Sequence, residues 1–181
     1  MARSEALETD RGDVLERLTI VFETPSLLAG IHDYILAQSF WDPGSNDSFR
    51  AIRDEKIEWP VRLRFIQSVA TLFREFFALQ RSGPLAMVCY MWWELSGWWI
   101  PVGSHLSPDR VDTACFECLR AILTIPHEEC RRAAPHGLGH WYRAYAREVE
   151  VIIDELLAQP GLVLTDELRE YAADARTGMV Q

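Results

Sequence analysis

Pro60-Val61-Arg62-Leu63-Arg64-Phe65-Ile66-Gln67-Ser68-Val69-Ala70-Thr71-Leu72-Phe73-Arg74-Glu75-Phe76-Phe77 is the stretch whose reading decides the fold. Phe65, Val69, Phe73, Phe76 and Gln80 recur every three or four residues and share one face of a 3.6-residue helix. Ile66, Leu72 and Phe77 flank that face. Pro60 suits a first helical turn, where its missing N–H would have no intrahelical partner. Ser82-Gly83-Pro84 stops the pattern, so the spacing predicts a helix over 60–81. A half-buried strand would alternate every second residue, and no segment of the chain sustains that. The chain reads as all-α.

Working outward, a helix over 13–23 places Val14, Leu18 and Val21 on one side, and Thr24-Pro25 reads as the cap and first residue of a second helix. That second helix would bury Leu28, Ile31 and Ile35 before breaking at Trp41-Asp42-Pro43-Gly44. A short helix over 48–57 carries Phe49 and Ile52. Downstream, 85–96 is apolar nearly all round, the pattern of a helix buried on most sides, and 97–103 reads as a loop. Ser107-Pro108-Asp109 signals the start of a helix running to Leu123. The next helix is expected to open at Pro126, and Pro135, Gly137 and Gly139 predict a bend or interruption in it. Leu138, Tyr142, Tyr145, Val149, Ile152 and Leu156 then form a seam ending at Pro160-Gly161, and Thr165 caps a last helix with Leu168 and Tyr171. The expectation is a single helical domain over 1–181 with about eight helices in antiparallel pairs, frayed over 1–12 and 177–181.

Apolar residues make up 49% of the chain and charged residues 25%, enough for a core that needs no metal or disulfide. The net charge of −9 would repel a phosphate backbone, and no basic stripe offsets it, so nucleic acid is not an expected partner. Lys56 is the only lysine among 18 basic residues. Residues 1–13 lack the apolar run of a signal peptide, and the apolar run from Leu85 to Trp93 is too short to span a membrane. The expected location is cytoplasmic, with the four cysteines as free thiols.

Pro60-Val61-Arg62-Leu63-Arg64-Phe65 and Cys130-Arg131-Arg132-Ala133-Ala134 leading to Gly139 resemble HEAT repeats over about a third of the chain. The resemblance implies a HEAT-like α-solenoid, with an irregular helical bundle as the other arrangement of the same helices. His136-Gly137-Leu138-Gly139-His140-Trp141, preceded by Cys130, is also similar to a signature of bacterial helical proteins, which implies no activity.

Several residue groups have the composition of a site. Cys115-x-x-Cys118 and His136-x-x-x-His140 supply zinc-type donors, yet the cysteines fall beside Val111 and Ile122 on an apolar helix face and read as buried thiols. His136 and His140 project opposite the Leu138–Leu156 seam, along a line with Arg143, Arg147 and Asp154. This face is expected to be polar or solvent-facing unless another helix covers it, and no glutamate of an HExxH motif lies between the histidines. Gly137 and Gly139 admit close approach of a neighbouring helix or ligand. His127-Glu128-Glu129 is explained by a helix N-terminus, and His32 and His105 are isolated. Trp92 and Trp93 read as core, while Trp98 and Trp99 follow Gly97 in a loop and have the composition of interface anchors.

The expected function is therefore a helical interaction or adaptor protein, of the kind that serves as a bacterial immunity or accessory subunit. It would bind a protein partner through an acidic surface, Trp98, Trp99 and the face of His136, His140, Arg143 and Arg147, without cofactor or metal. The alternative is a metal-dependent or small-molecule-binding helical enzyme built on His136 and His140. What separates the two is whether those histidines converge with carboxylates.

Overall fold

In a computed structural model that describes residues 11–41, 51–80, 82–95 and 107–180, the chain forms α1 (Arg11–Glu23), α2 (Asp33–Trp41), α3 (Trp59–Glu75), α4 (Pro84–Leu95), α5 (Arg110–Leu123), α6 (Glu128–Ala158) and α7 (Asp166–Ala175). Short 3-10 turns lie at Pro25–Leu28, Ala51–Arg53 and Phe77–Leu79, and no strand occurs among the described residues. The fold is all-α. None of these helices is long and apolar enough to cross a membrane.

The predicted face of α3 is the centre of the packing, with Phe65, Ile66, Val69, Leu72 and Phe73 buried between α1 and α5. The helix is shorter than its spacing predicts. Phe76 leaves helical backbone at φ −121°, ψ −63°, and a 3-10 turn carries Phe77 into the core. Trp92 of α4 meets Phe22, Phe40, Phe73 and Phe77 edge-on, with ring centroids 5.5–5.9 Å apart. Both Trp92 and Trp93 are core, as expected.

Five local expectations are corrected. The buried side of α1 is Leu15, Thr19 and Phe22, one residue round from Val14, Leu18 and Val21, which are half-buried at its edge. Thr24-Pro25 opens only a 3-10 turn, and the chain reverses at Gly30 (φ +82°). Helix α2 therefore starts at Asp33 and buries Leu36 and Ala37, leaving Ile31 and Ile35 exposed. Helix α4 is not buried all round, because α2 and α6 cover two of its sides and Met87 faces outward. The cap of α5 is Asp109, two residues beyond Ser107; its Oδ1 accepts from the Val111 and Asp112 amides at 2.7 and 2.8 Å. Of the expected 48–57 helix, the described residues 51–57 form only the 3-10 turn Ala51–Arg53, which buries Ile52, followed by non-helical turns; Phe49 lies outside the described residues.

The break expected at Pro135 is also displaced. Helix α6 starts at Glu128 and runs on through Pro135, Gly137 and Gly139, bending instead at Tyr145 (φ −138°, ψ 54°). The bend is sharp. Arg131 Nη1 donates to the Val163 carbonyl at 3.4 Å, although a straight helix would put residues 131 and 158 about 40 Å apart. The five steps from Ala158 to Val163 can span only about 18 Å, so the second half of α6 must fold back. The bend sits where the Tyr145 phenol reaches buried Asp112 of α5. Asp112 also accepts from Arg53 Nη2 at 2.6 Å, so one carboxylate ties the Ala51–Arg53 turn, α5 and α6 together.

Candidate metal centre

Glu94 is the one charged residue of α4, in Pro-Leu-Ala-Met-Val-Cys-Tyr-Met-Trp-Trp-Glu-Leu. Its position follows from its neighbour. Trp93 lies directly on the backbone of α6 at Gly137, where an added Cβ would come within 2.6 Å of Trp93 Cγ. Only glycine lets the two helices approach so closely. Because Trp93 is seated on Gly137, the next residue lands against the histidines on either side of that glycine. Glu94 Oε1 is 2.9 Å from His136 Nε2 and 3.0 Å from His140 Nε2, and the two nitrogens are 3.3 Å apart. His136 and His140 lie one helical turn apart on the same side of α6, which is why both can face one oxygen.

The far side of His136 is also engaged. Its Nδ1 lies 2.5 Å from the hydroxyl of Tyr171 on α7, and that hydroxyl lies 2.8 Å from the hydroxyl of Tyr90 on α4. The Tyr90 ring packs against the imidazole at 4.5 Å between centroids. His136 is fully buried, whereas the side chains of His140 and Glu94 keep 24% and 32% exposure, so the cluster is open on one side. Burial holds the His136 imidazole below the usual histidine range; the Glu94 hydrogen bond opposes this and His140 adds to it. Both ring nitrogens are thus engaged, Nε2 with Glu94 and Nδ1 with Tyr171, and a neutral ring has one N–H and one lone pair to share between them.

Glu94, His136 and His140 are a donor group whose ligand atoms all lie within 4.8 Å of one another. The spacings fit a small ion. A point about 2.1 Å from all three atoms, the usual metal–imidazole distance, lies about 1.1 Å off their plane. From there the three pairs subtend about 87°, 91° and 104°, between one face of an octahedron and a tetrahedron. Two imidazoles and one carboxylate with an open side are the donors of a catalytic rather than a closed structural metal site.

The face of His136 and His140 is polar and is covered by other helices, the exception left open for it: α4 and α7 bury His136 and leave His140 partly exposed. Asp154, on the same predicted line, pairs with Arg176 at the end of α7, at 2.7 and 3.0 Å. Arg143 and Arg147 are exposed and are not brought to the histidines. Trp98, Trp99 and His105 lie outside the described residues. Cys115 and Cys118 are buried free thiols on the apolar face of α5, and burial pushes Cys118 up to about 12. His127 caps α6 without a side-chain hydrogen bond, and Glu128 accepts from the Thr165 hydroxyl at 3.0 Å.

Glu94 and Tyr171 are the site residues that periodicity misses. The available signal was an acid inside a helix that is otherwise apolar, since a carboxylate carried into a core needs a partner there. Tyr171 gave no such signal, because a tyrosine on the apolar side of α7 reads as ordinary core. No protein-family model, no curated protein and no solved structure matches the chain.

Proposed function

We propose that this chain is a metal-dependent helical enzyme whose divalent ion is held by Glu94, His136 and His140. The observation that carries the reading is the convergence of one carboxylate oxygen and two imidazole nitrogens within 3.3 Å, from two helices held together at Gly137. An ion there supplies a Lewis acid. The protein's contribution is to fix three donors, keep His136 buried, and leave the His140–Glu94 side open to a substrate. The test is metal retention. Dialysis against Zn(II), followed by removal of free ion, is expected to leave one equivalent on the wild-type chain. His136→Ala with His140→Ala, and separately Glu94→Gln, should lose it while circular dichroism stays helical. Equal retention by all three proteins, or none by the wild type, would overturn the reading.

A protein-binding adaptor role is the second reading, and a different surface favours it. Leu27, Ile31, Tyr34, Ile35 and Trp41 are 39–60% exposed along the Pro25–Leu28 turn and α2. An apolar run of this kind is commonly a contact surface. Tyr34→Asp with Ile35→Asp would then abolish capture of a partner from cell extract without lowering helicity. Unchanged capture would remove this role for α2.

A further inference from the structure

Resting on the metal-binding reading, we propose that the ion belongs to the first-row divalent transition class, and that Tyr171, backed by Tyr90, is the positioning residue that accepts from the His136 ring proton on Nδ1 when Nε2 holds the ion. The class follows from the donors. Magnesium and calcium are held by oxygen-rich sets, whereas two imidazoles with one carboxylate suit iron, cobalt, nickel or zinc. Among the described residues Glu94 is the only carboxylate in the cluster, so a hard cation would find there one carboxylate and two imidazole nitrogens.

The role of Tyr171 follows from proton placement. A neutral imidazole has one N–H and one lone pair. A carboxylate can only accept, so without an ion the 2.9 Å contact to Glu94 Oε1 assigns the ring proton to His136 Nε2 and leaves Nδ1 to accept from the Tyr171 hydroxyl, 2.5 Å away. With an ion on Nε2, that nitrogen must present its lone pair, so the ring's proton has to reside on Nδ1. The ring stays neutral and its proton changes nitrogen, with no net gain or loss. A hydroxyl accommodates both states because it donates and accepts. In the second state Tyr171 O accepts from Nδ1–H and turns its own proton toward the Tyr90 oxygen, 2.8 Å away. A carboxylate or carbonyl at this point could serve only the second state. Tyr171 comes from α7, so the C-terminal helix takes part in the site although it contributes no ligand.

The experiment titrates Co(II) into the full chain and reads its visible absorption, and records long-range proton–nitrogen NMR of the His136 ring before and after a parallel titration with diamagnetic Zn(II). Wild type should bind Co(II), yield it to Zn(II), and keep it against a large excess of Mg(II) or Ca(II). In the NMR the proton should sit on Nε2 before titration and on Nδ1 after it. Tyr171→Phe should weaken Co(II) by roughly 10–100-fold, the usual effect of removing an outer partner of a ligating histidine, with helicity unchanged. Tyr90→Phe should cost less than tenfold, because Tyr171 can still accept from Nδ1–H. Displacement of Co(II) by Mg(II) or Ca(II) would overturn the ion class while leaving a metal site. Wild-type affinity and an unchanged proton position in Tyr171→Phe would overturn the positioning role. Absence of Co(II) binding by the wild type would remove the site and this inference together.

Discussion

Trp93→Ala is expected to lower the unfolding free energy by about 3–5 kcal/mol, the range for deleting a large aromatic from a packed core. Trp93 is fully buried and stacks on Phe73, 6.5 Å away at an interplanar angle of 26°. Its indole fills the space that Gly137 leaves open on α6. The same contact predicts a reciprocal loss. Gly137→Ala should cost about 1–3 kcal/mol, because the new methyl would overlap a rigid ring rather than the end of a flexible chain. In the Trp93→Ala background that cost should vanish or reverse, since alanine is favoured over glycine within a helix by about 1 kcal/mol. Urea unfolding of the four proteins closes a double-mutant cycle with an expected coupling above 1 kcal/mol. Additive losses would show that the two residues do not share this contact. Seating of Glu94 would then need another explanation.

Asp112→Ala is expected to cost about 3–5 kcal/mol, because it leaves buried partners of one carboxylate without their acceptor. Asp112 is 1% exposed and Arg53 only 17%, with 2.6 Å between Arg53 Nη2 and Asp112 Oδ1. The Tyr145 hydroxyl donates to the other oxygen. Burial, and after it this hydrogen bond, pushes the Tyr145 phenol well above the ordinary tyrosine range. Asp109, 3.7 Å from Arg53, can take over part of the guanidinium but is half exposed. Asp112→Asn keeps the shape and one acceptor oxygen, so its loss should be smaller, about 1–3 kcal/mol. Tyr145 marks the bend of α6, so proteolysis there should accelerate in Asp112→Ala. A stability change below 1 kcal/mol in Asp112→Ala would mean that the network does not hold the bend.

The sequence alone determines that this chain is helical and which residues form most of its core. Apolar spacing is a local property, and a helix buries whatever lies on its apolar side, so Phe65, Val69, Phe73, Trp92, Cys115, Cys118 and Ile152 were legible without coordinates. Faces fail to be legible where something other than periodicity sets them. Gly30 rotated α2 so that Ile31 and Ile35 face solvent, and a neighbouring helix, not the Leu138–Leu156 seam, decided the surroundings of His136. The bend at Tyr145 rather than Pro135 is of the same kind, since it coincides with a contact to a residue 33 positions away. The histidines were visible as a pair, but only the tertiary structure decided that His136 is buried, that Glu94 joins the two and that Tyr171 backs His136. Those partners stand 42 and 35 residues from His136 on other helices, and a contact at that separation leaves no period in the chain.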